Sequence, residues 1–232
     1  MTKIRPFTLA IPQAQLDDLN ARLALTRWPE RETVDDWSQG SPLAALQGLA
    51  DYWRHHYDWR RCEARLNGFG QFITEIAGLD IHFLHVRAPH EEAARLVLTH
   101  GWPGSVIEFL DCIGPLTDPT AHGGRAEDAF HVVVPSLPGY GFSGKPARAG
   151  WDVPKVGEAW AELMGRLGYE RWFAQGGDWG AIVTTVMGAQ APAGLAGIHT
   201  NMPIAKILPE DRADTDPAVL AALAAGAKYN DF

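Results

Sequence analysis

The sequence predicts an α/β fold, a doubly wound and mostly parallel sheet preceded by an N-terminal helical extension. Three observations predict it. From Leu96 onward, short apolar runs alternate with amphipathic segments, as in strands joined by crossover helices. Around Asp178 an apolar run breaks at paired glycines and resumes as a helix-compatible segment, which reads as strand, sharp turn, helix. Residues 1–66 instead carry apolar residues at helical spacing, with no strand pattern.

In chain order, Ile11, Leu16, Leu19 and Leu23 approximate one helical face, and Trp28-Pro29 is the expected stop. Ser41-Pro42 reads as an N-cap and first-turn pair for a helix carrying Leu46, Leu49, Trp53 and Tyr57. Asp58 is placed to cap a further short helix ending near Asn67-Gly68. From residue 69 the period changes to two. Phe69 to Ile76 and Leu79 to Val86 alternate about a turn centred on Gly78, a predicted hairpin with His82 and His85 on opposite faces.

Leu96-Val97-Leu98-Thr99 and Phe130-His131-Val132-Val133-Val134-Pro135 have the uninterrupted apolar character of buried parallel strands. A helix is expected to begin at Val106, and another over 154–167 with Val156, Trp160, Leu163 and Leu167 facing inward. Leu195 to His199 reads as the last strand, and Asp216 to Tyr229 as an Ala- and Leu-rich helix. A site in such a sheet is expected at the carboxyl ends of the strands.

The stretch Gln175-Gly176-Gly177-Asp178-Trp179-Gly180 carries the chemistry. A residue on a sharp strand-to-helix turn takes a positive φ, and only small flanking residues let the backbones pass. A serine there that attacked a saturated carbon would leave an ether, which water does not readily cleave. A carboxylate leaves an ester, which hydrolyses. Aspartate, with an ordinary pKa near ~4, needs no base to become the nucleophile. The plainer reading is a Gly-Gly-Asp turn with Asp178 capping the next helix.

Composition narrows the remaining classes. The chain has 232 residues, 46 % hydrophobic and 21 % charged, ordinary values for a globular domain. A net charge of −8 argues against nucleic acid or an anionic membrane surface as partner. Cys62 and Cys112 give no disulfide framework and fit a reducing cytosol. The first residues lack the apolar core of a signal peptide, and no apolar run reaches the ~18 residues a span requires. The expected location is cytoplasmic. His55 and His56, on different sides of one helix, are not expected to bind metal.

Five stretches together resemble one family: Tyr52-Trp53 with Tyr57-Asp58-Trp59-Arg60, Ile81-His82-Phe83-Leu84-His85-Val86, His100-Gly101-Trp102-Pro103-Gly104-Ser105, Pro135 to Ser143, and Gln175 to Gly180. They are similar to epoxide hydrolases of the α/β-hydrolase superfamily, in the microsomal-like branch with an N-terminal helical extension. The small departure is Gly70, where that branch tends to carry proline.

The resemblance implies an α/β-hydrolase fold, incomplete here, with 1–66 as the extension, 67–200 as the N-terminal half of the core and 201–232 as the start of a lid. It implies Asp178 as nucleophile and the backbone N–H groups of Trp102 and Trp179 as oxyanion hole. His100, Gly101 and Pro103 form the loop motif, with Pro103 cis and His100 bracing the loop rather than acting as base. The implied partners are a small-molecule epoxide and water, with no cofactor, metal, nucleic acid or membrane.

The family's catalytic histidine, its acid and its lid tyrosines have no counterpart here. His199 and Tyr229 match neither role well, and the sheet is expected to lack its last strands and leave an open edge. Two readings follow. One is an epoxide hydrolase completed by residues outside this chain. The other is a catalytically incomplete remnant, working as a homo-oligomer or with a complementing C-terminal chain. A haloalkane dehalogenase-like hydrolase is the alternative within the enzymes, disfavoured by Trp102, where those carry asparagine. Fluoroacetate dehalogenases are disfavoured by Trp179, where they carry arginine.

Overall fold

The computed structural model describes residues 3–203 and 216–230, with the side chains of 227–230 left undescribed. Helices α1 (Gln13–Ala24), α2 (Leu43–His55) and α3 (Trp59–Asn67) fill about half of the N-terminal segment. They are followed by strands β2 (Gln71–Ile76) and β3 (Leu79–Val86), which pair antiparallel across the Ala77-Gly78 turn, where both residues have positive φ. The segment also contains a short strand outside the expected helical pattern. β1 (Arg5–Pro6) pairs with β2 through Ile73 and Phe72, too short a pairing to leave a period in the sequence.

Helix termini depart from expectation in two places. α1 ends at Ala24, before Pro29, because the Leu25 N–H closes onto Ala21 and Arg22 and the Thr26 hydroxyl bonds the Leu23 carbonyl at 2.9 Å. Pro42 occupies the N-cap of α2 in place of Ser41, and no side chain caps that helix. At α3 the expectation holds, since the Asp58 carboxylate accepts from the Arg60 N–H at 2.9 Å.

The crossover region follows the predicted alternation. Strand β4 (Ala94–Thr99) leads through a 3-10 turn, Val106–Phe109, into α4 (Leu110–Thr117). Then come β5 (Phe130–Pro135), α5 (Val153–Arg166), β6 (Trp172–Gly176), α6 (Trp179–Gln190) and β7 (Leu195–Thr200), and finally α7 (Pro217–Asn230). The strands form one mixed sheet of order β1-β2-β3-β5-β4-β6-β7. Pairs from β1 to β5 are antiparallel, and β5-β4-β6-β7 run parallel.

Alternate residues of each central strand supply opposite cores. Phe83, Val97 and Val133 pack with Trp160, Leu163, Trp172 and Met187 under α5 and α6. Leu84, Leu96, Leu98, Val132 and Val134 pack with Leu66 and Ile113 under α3 and α4. The chain leaves β4 toward β5 on one side and leaves β6 toward β7 on the other. That reversal marks the carboxyl ends of β4 and β6, the place where open α/β sheets bind ligands. β7 forms one edge of the described sheet, with Ile198 43 % exposed on it.

Candidate active site

Two chain turns meet at those strand ends. β6 ends at Gly176 and α6 begins at Trp179, so the whole reversal falls on Gly177 and Asp178. Asp178 adopts φ 51° and ψ −126°, a conformation that costs an L-residue on the order of 1–3 kcal/mol and survives only where its surroundings enforce it.

The enforcement is steric. A Cβ at Gly176 would lie 2.0 Å from the Gly180 carbonyl oxygen, and one at Gly180 would lie 2.0 Å from that of Thr99. The glycines at two before and two after Asp178 are therefore required by contact between backbones. The Asp178 side chain does not cap α6 in the usual way, which removes the plainer reading of the turn.

The second turn follows β4, at His100-Gly101-Trp102-Pro103, with the Trp102–Pro103 peptide cis. Gly101 passes so close to the aspartate that a Cβ there would lie 2.3 Å from both Cβ and Oδ1 of Asp178. The Trp102 N–H donates to Asp178 Oδ1 at 2.7 Å. The Asp178 pKa is lowered from its ordinary value of 3.8, first by that N–H and second by the N–H of Trp179, against a smaller opposing effect of burial. Only the Trp102 contact has full hydrogen-bond geometry, so it is the stronger anchor. Trp102 and Trp179 are 65 % and 48 % exposed, so both lie at the surface beside Asp178.

His100 is buried beneath the loop. Its Nδ1 lies 3.0 Å from the Gly101 carbonyl and can only donate to it, while Nε2 accepts from the Leu137 N–H at 3.0 Å. Both ring nitrogens are thus committed, and burial lowers its pKa. Among the described residues no histidine ring hydrogen-bonds the Asp178 carboxylate. His199 lies on β7 in register with Gln175, His55 on α2, and His85 contacts Tyr169 at 2.7 Å. The side chain of Tyr229 lies outside the described residues.

Sequence reasoning passed over one acidic neighbour, Glu108. Its Oε1 accepts from the Ser105 N–H at 3.1 Å while Ser105 Oγ accepts from the Ile107 N–H at 3.3 Å, a capping box. The Glu108 carboxylate fills the space a Cβ on Gly104 would need. Its pKa is raised, first by burial and, against the pull of the Ser105 N–H, also by the negative charge of Asp178. The Ser105-x-x-Glu108 spacing was the signal that could have found it. Among the described residues no three His, Cys, Asp or Glu side chains gather as a metal site, and no helix is long and apolar enough to cross a membrane.

Two families match the chain. One described as epoxide hydrolase N terminus covers residues 4–109, and one described as alpha/beta hydrolase fold covers residues 94–230. The chain is 61 % identical over 229 residues to a putative epoxide hydrolase of Stigmatella aurantiaca (strain DW4/3-1), covering 98 % of this chain and 52 % of that protein. It is 39 % identical to epoxide hydrolase 1 of Oryctolagus cuniculus, covering 86 % of this chain and 45 % of the other. The solved structure of Aspergillus niger epoxide hydrolase superposes with a TM-score of 0.79 at 36 % identity, over 90 % of this chain and 54 % of that one. The chain thus spans about half the length of the curated relatives it matches.

Proposed function

This chain belongs to the alpha/beta hydrolase fold family, and from that premise we propose that it carries the nucleophile of an epoxide hydrolase converting an epoxide and water to a vicinal diol. The observation that carries the reading is the Asp178 carboxylate, held on a positive-φ turn with Oδ1 accepting from the Trp102 N–H.

In the first step Oδ2 attacks an epoxide carbon, the ring C–O bond breaks, and the ring oxygen leaves as an alkoxide that takes a proton. The product is an ester of Asp178. In the second step a water oxygen attacks the ester carbonyl carbon, a base accepts its proton, and charge develops on the oxygen facing the Trp102 and Trp179 N–H groups. Collapse releases the diol and leaves one solvent oxygen in the carboxylate. Each N–H of such a hole is typically worth about 3 kcal/mol of barrier.

Neither step calls for a metal or organic cofactor, because a carboxylate, a base and water complete both. The two committed nitrogens of His100 support a bracing role for it. The base and the acid are assigned to residues outside this chain, a reading supported by relatives about twice as long. We take the substrate to be a small-molecule epoxide, supported by the names of the relatives, and the site of action to be the cytoplasm, supported by two unpaired cysteines.

The test is trapping. An aryl epoxide is incubated with the protein at equal concentration, quenched in acid, and the peptides are weighed. An ester on the Asp178 peptide that Asp178→Ala lacks is expected. Equal labelling of the variant would overturn the assignment.

A further inference from the structure

A hydrogen-bonded chain, exposed at Asn67 and buried from Gln71 inward, runs from the N-terminal segment to the oxyanion loop, and the donors fix its direction. Leu9 on the N-terminal segment exchanges bonds with the Asn67 amide, at 2.9 Å to Oδ1 and 2.8 Å from Nδ2. The Gln71 Nε2 donates to Asn67 Oδ1 at 2.8 Å, which leaves Gln71 Oε1 as an acceptor. His82 Nε2 lies 3.0 Å from that oxygen and therefore carries the proton. His82 Nδ1 is then the acceptor for the Ser136 hydroxyl at 2.9 Å. Ser143 closes the arrangement, accepting from the backbone N–H of His82 at 3.0 Å and donating to the Ser136 carbonyl at 2.7 Å.

Ser136 is followed by Leu137, whose N–H binds His100, whose ring in turn holds the Gly101 carbonyl one residue before Trp102. His82, Ser136 and His100 are each at most 1 % exposed, so water does not compete for these bonds. An orphaned member of such a network costs more than the bond itself, so each partner constrains the next.

We propose that His82 is a positioning residue for the reaction at Asp178, fixing the Ser136-Leu137 turn and, through His100, the loop that aims the Trp102 N–H at the nucleophile. The relay also ties that loop to the N-terminal segment by way of Gln71 and Asn67. It rests on Asp178 being the nucleophile only for its consequence; the coupling itself is a property of the fold. Phe7 and Phe142 pack edge-on against the His82 ring at 5.0 and 5.2 Å, which leaves one orientation for it.

The test needs no substrate, so it separates from the epoxide reading. Nitrogen-15 NMR of the folded chain should show His82 protonated at Nε2 alone, and a ring protonated at Nδ1 overturns the relay without any variant. Ser136→Ala and His82→Phe should then move the Trp102 amide proton upfield and speed its exchange roughly fivefold, the share one hydrogen bond supplies. Thr117→Val, which removes a buried hydroxyl on α4 away from the relay, should leave that amide unchanged. An unmoved Trp102 amide in folded Ser136→Ala, or an equal shift in Thr117→Val, refutes the positioning role.

Discussion

Gly180→Ala puts the steric account of the elbow at risk. The added Cβ would sit 2.0 Å from the Thr99 carbonyl oxygen, 2.7 Å from its carbon and 2.9 Å from the His100 carbonyl oxygen. All three are backbone atoms at the end of β4, where Thr99 is in register with Gly176 of β6, so no rotamer change relieves the overlap. Relief requires α6 and β4 to part by more than an ångström. Overpacking of this kind costs about 3 kcal/mol at the upper end of its usual range. The gain in helix propensity on replacing glycine offsets up to ~1 kcal/mol, leaving a net loss of about 2 kcal/mol.

Gly165→Ala in α5 is the control, since a Cβ there meets nothing within 4 Å and should stabilise by up to ~1 kcal/mol. Urea unfolding followed by the emission of the fully buried Trp160 and Trp172 measures both. The two variants should differ by about 3 kcal/mol, or roughly 6–12 °C in Tm for a chain of this size. Equal stability would refute the claim that the glycines are there to let backbones touch.

Other outcomes follow from the same geometry. Gly101→Ala should displace the Asp178 carboxylate and lower its labelling by an epoxide more than tenfold while the far-UV circular dichroism stays unchanged, because its Cβ would overlap Asp178 itself. Labelling of Asp178 should decline at a lower pH than the ionisation of an ordinary aspartate would give, since two backbone N–H groups lower its pKa. Burial lowers the His82 pKa from 6.5 to about 4, so the unfolded chain takes up a proton that the folded chain refuses between those values. His82 alone should therefore take about 3 kcal/mol from the stability as pH drops from 6.5 to 4, and urea midpoints of His82→Phe should lack that share of the slope.

Much of the site could be read from the chain because its constraints are local. Gly176 and Gly180 flank Asp178 by two residues on either side, a spacing visible in the sequence; the demand on Gly176 comes from Gly180 within the same turn, whereas the demand on Gly180 comes from Thr99 of β4. The carboxyl-end location followed from the alternation of β4, α4, β5, α5 and β6. What stayed hidden depends on partners distant in sequence or on elements too short to carry a period. β1 has two residues and is defined by Ile73 and Phe72 across the sheet. His82 meets Ser136 across 54 positions, so the histidine gave no sign of its partner. The end of α1 was misread because Pro29 is a conspicuous breaker, whereas the Thr26 hydroxyl that closes the helix leaves no comparable mark. Glu108 was legible in its three-residue spacing from Ser105, but its nearness to Asp178 required the fold.

The most direct test of a nucleophilic Asp178 is one turnover in ¹⁸O-water with enzyme in excess over epoxide, in an active preparation containing this chain. Mass analysis of the diol and of the Asp178 peptide then locates the solvent oxygen. The account predicts heavy oxygen in the peptide, with the first diol carrying the unlabelled oxygen of the carboxylate. Heavy oxygen in the first diol with none in the Asp178 peptide would make Asp178 a general base directing water at the epoxide, and would contradict the account.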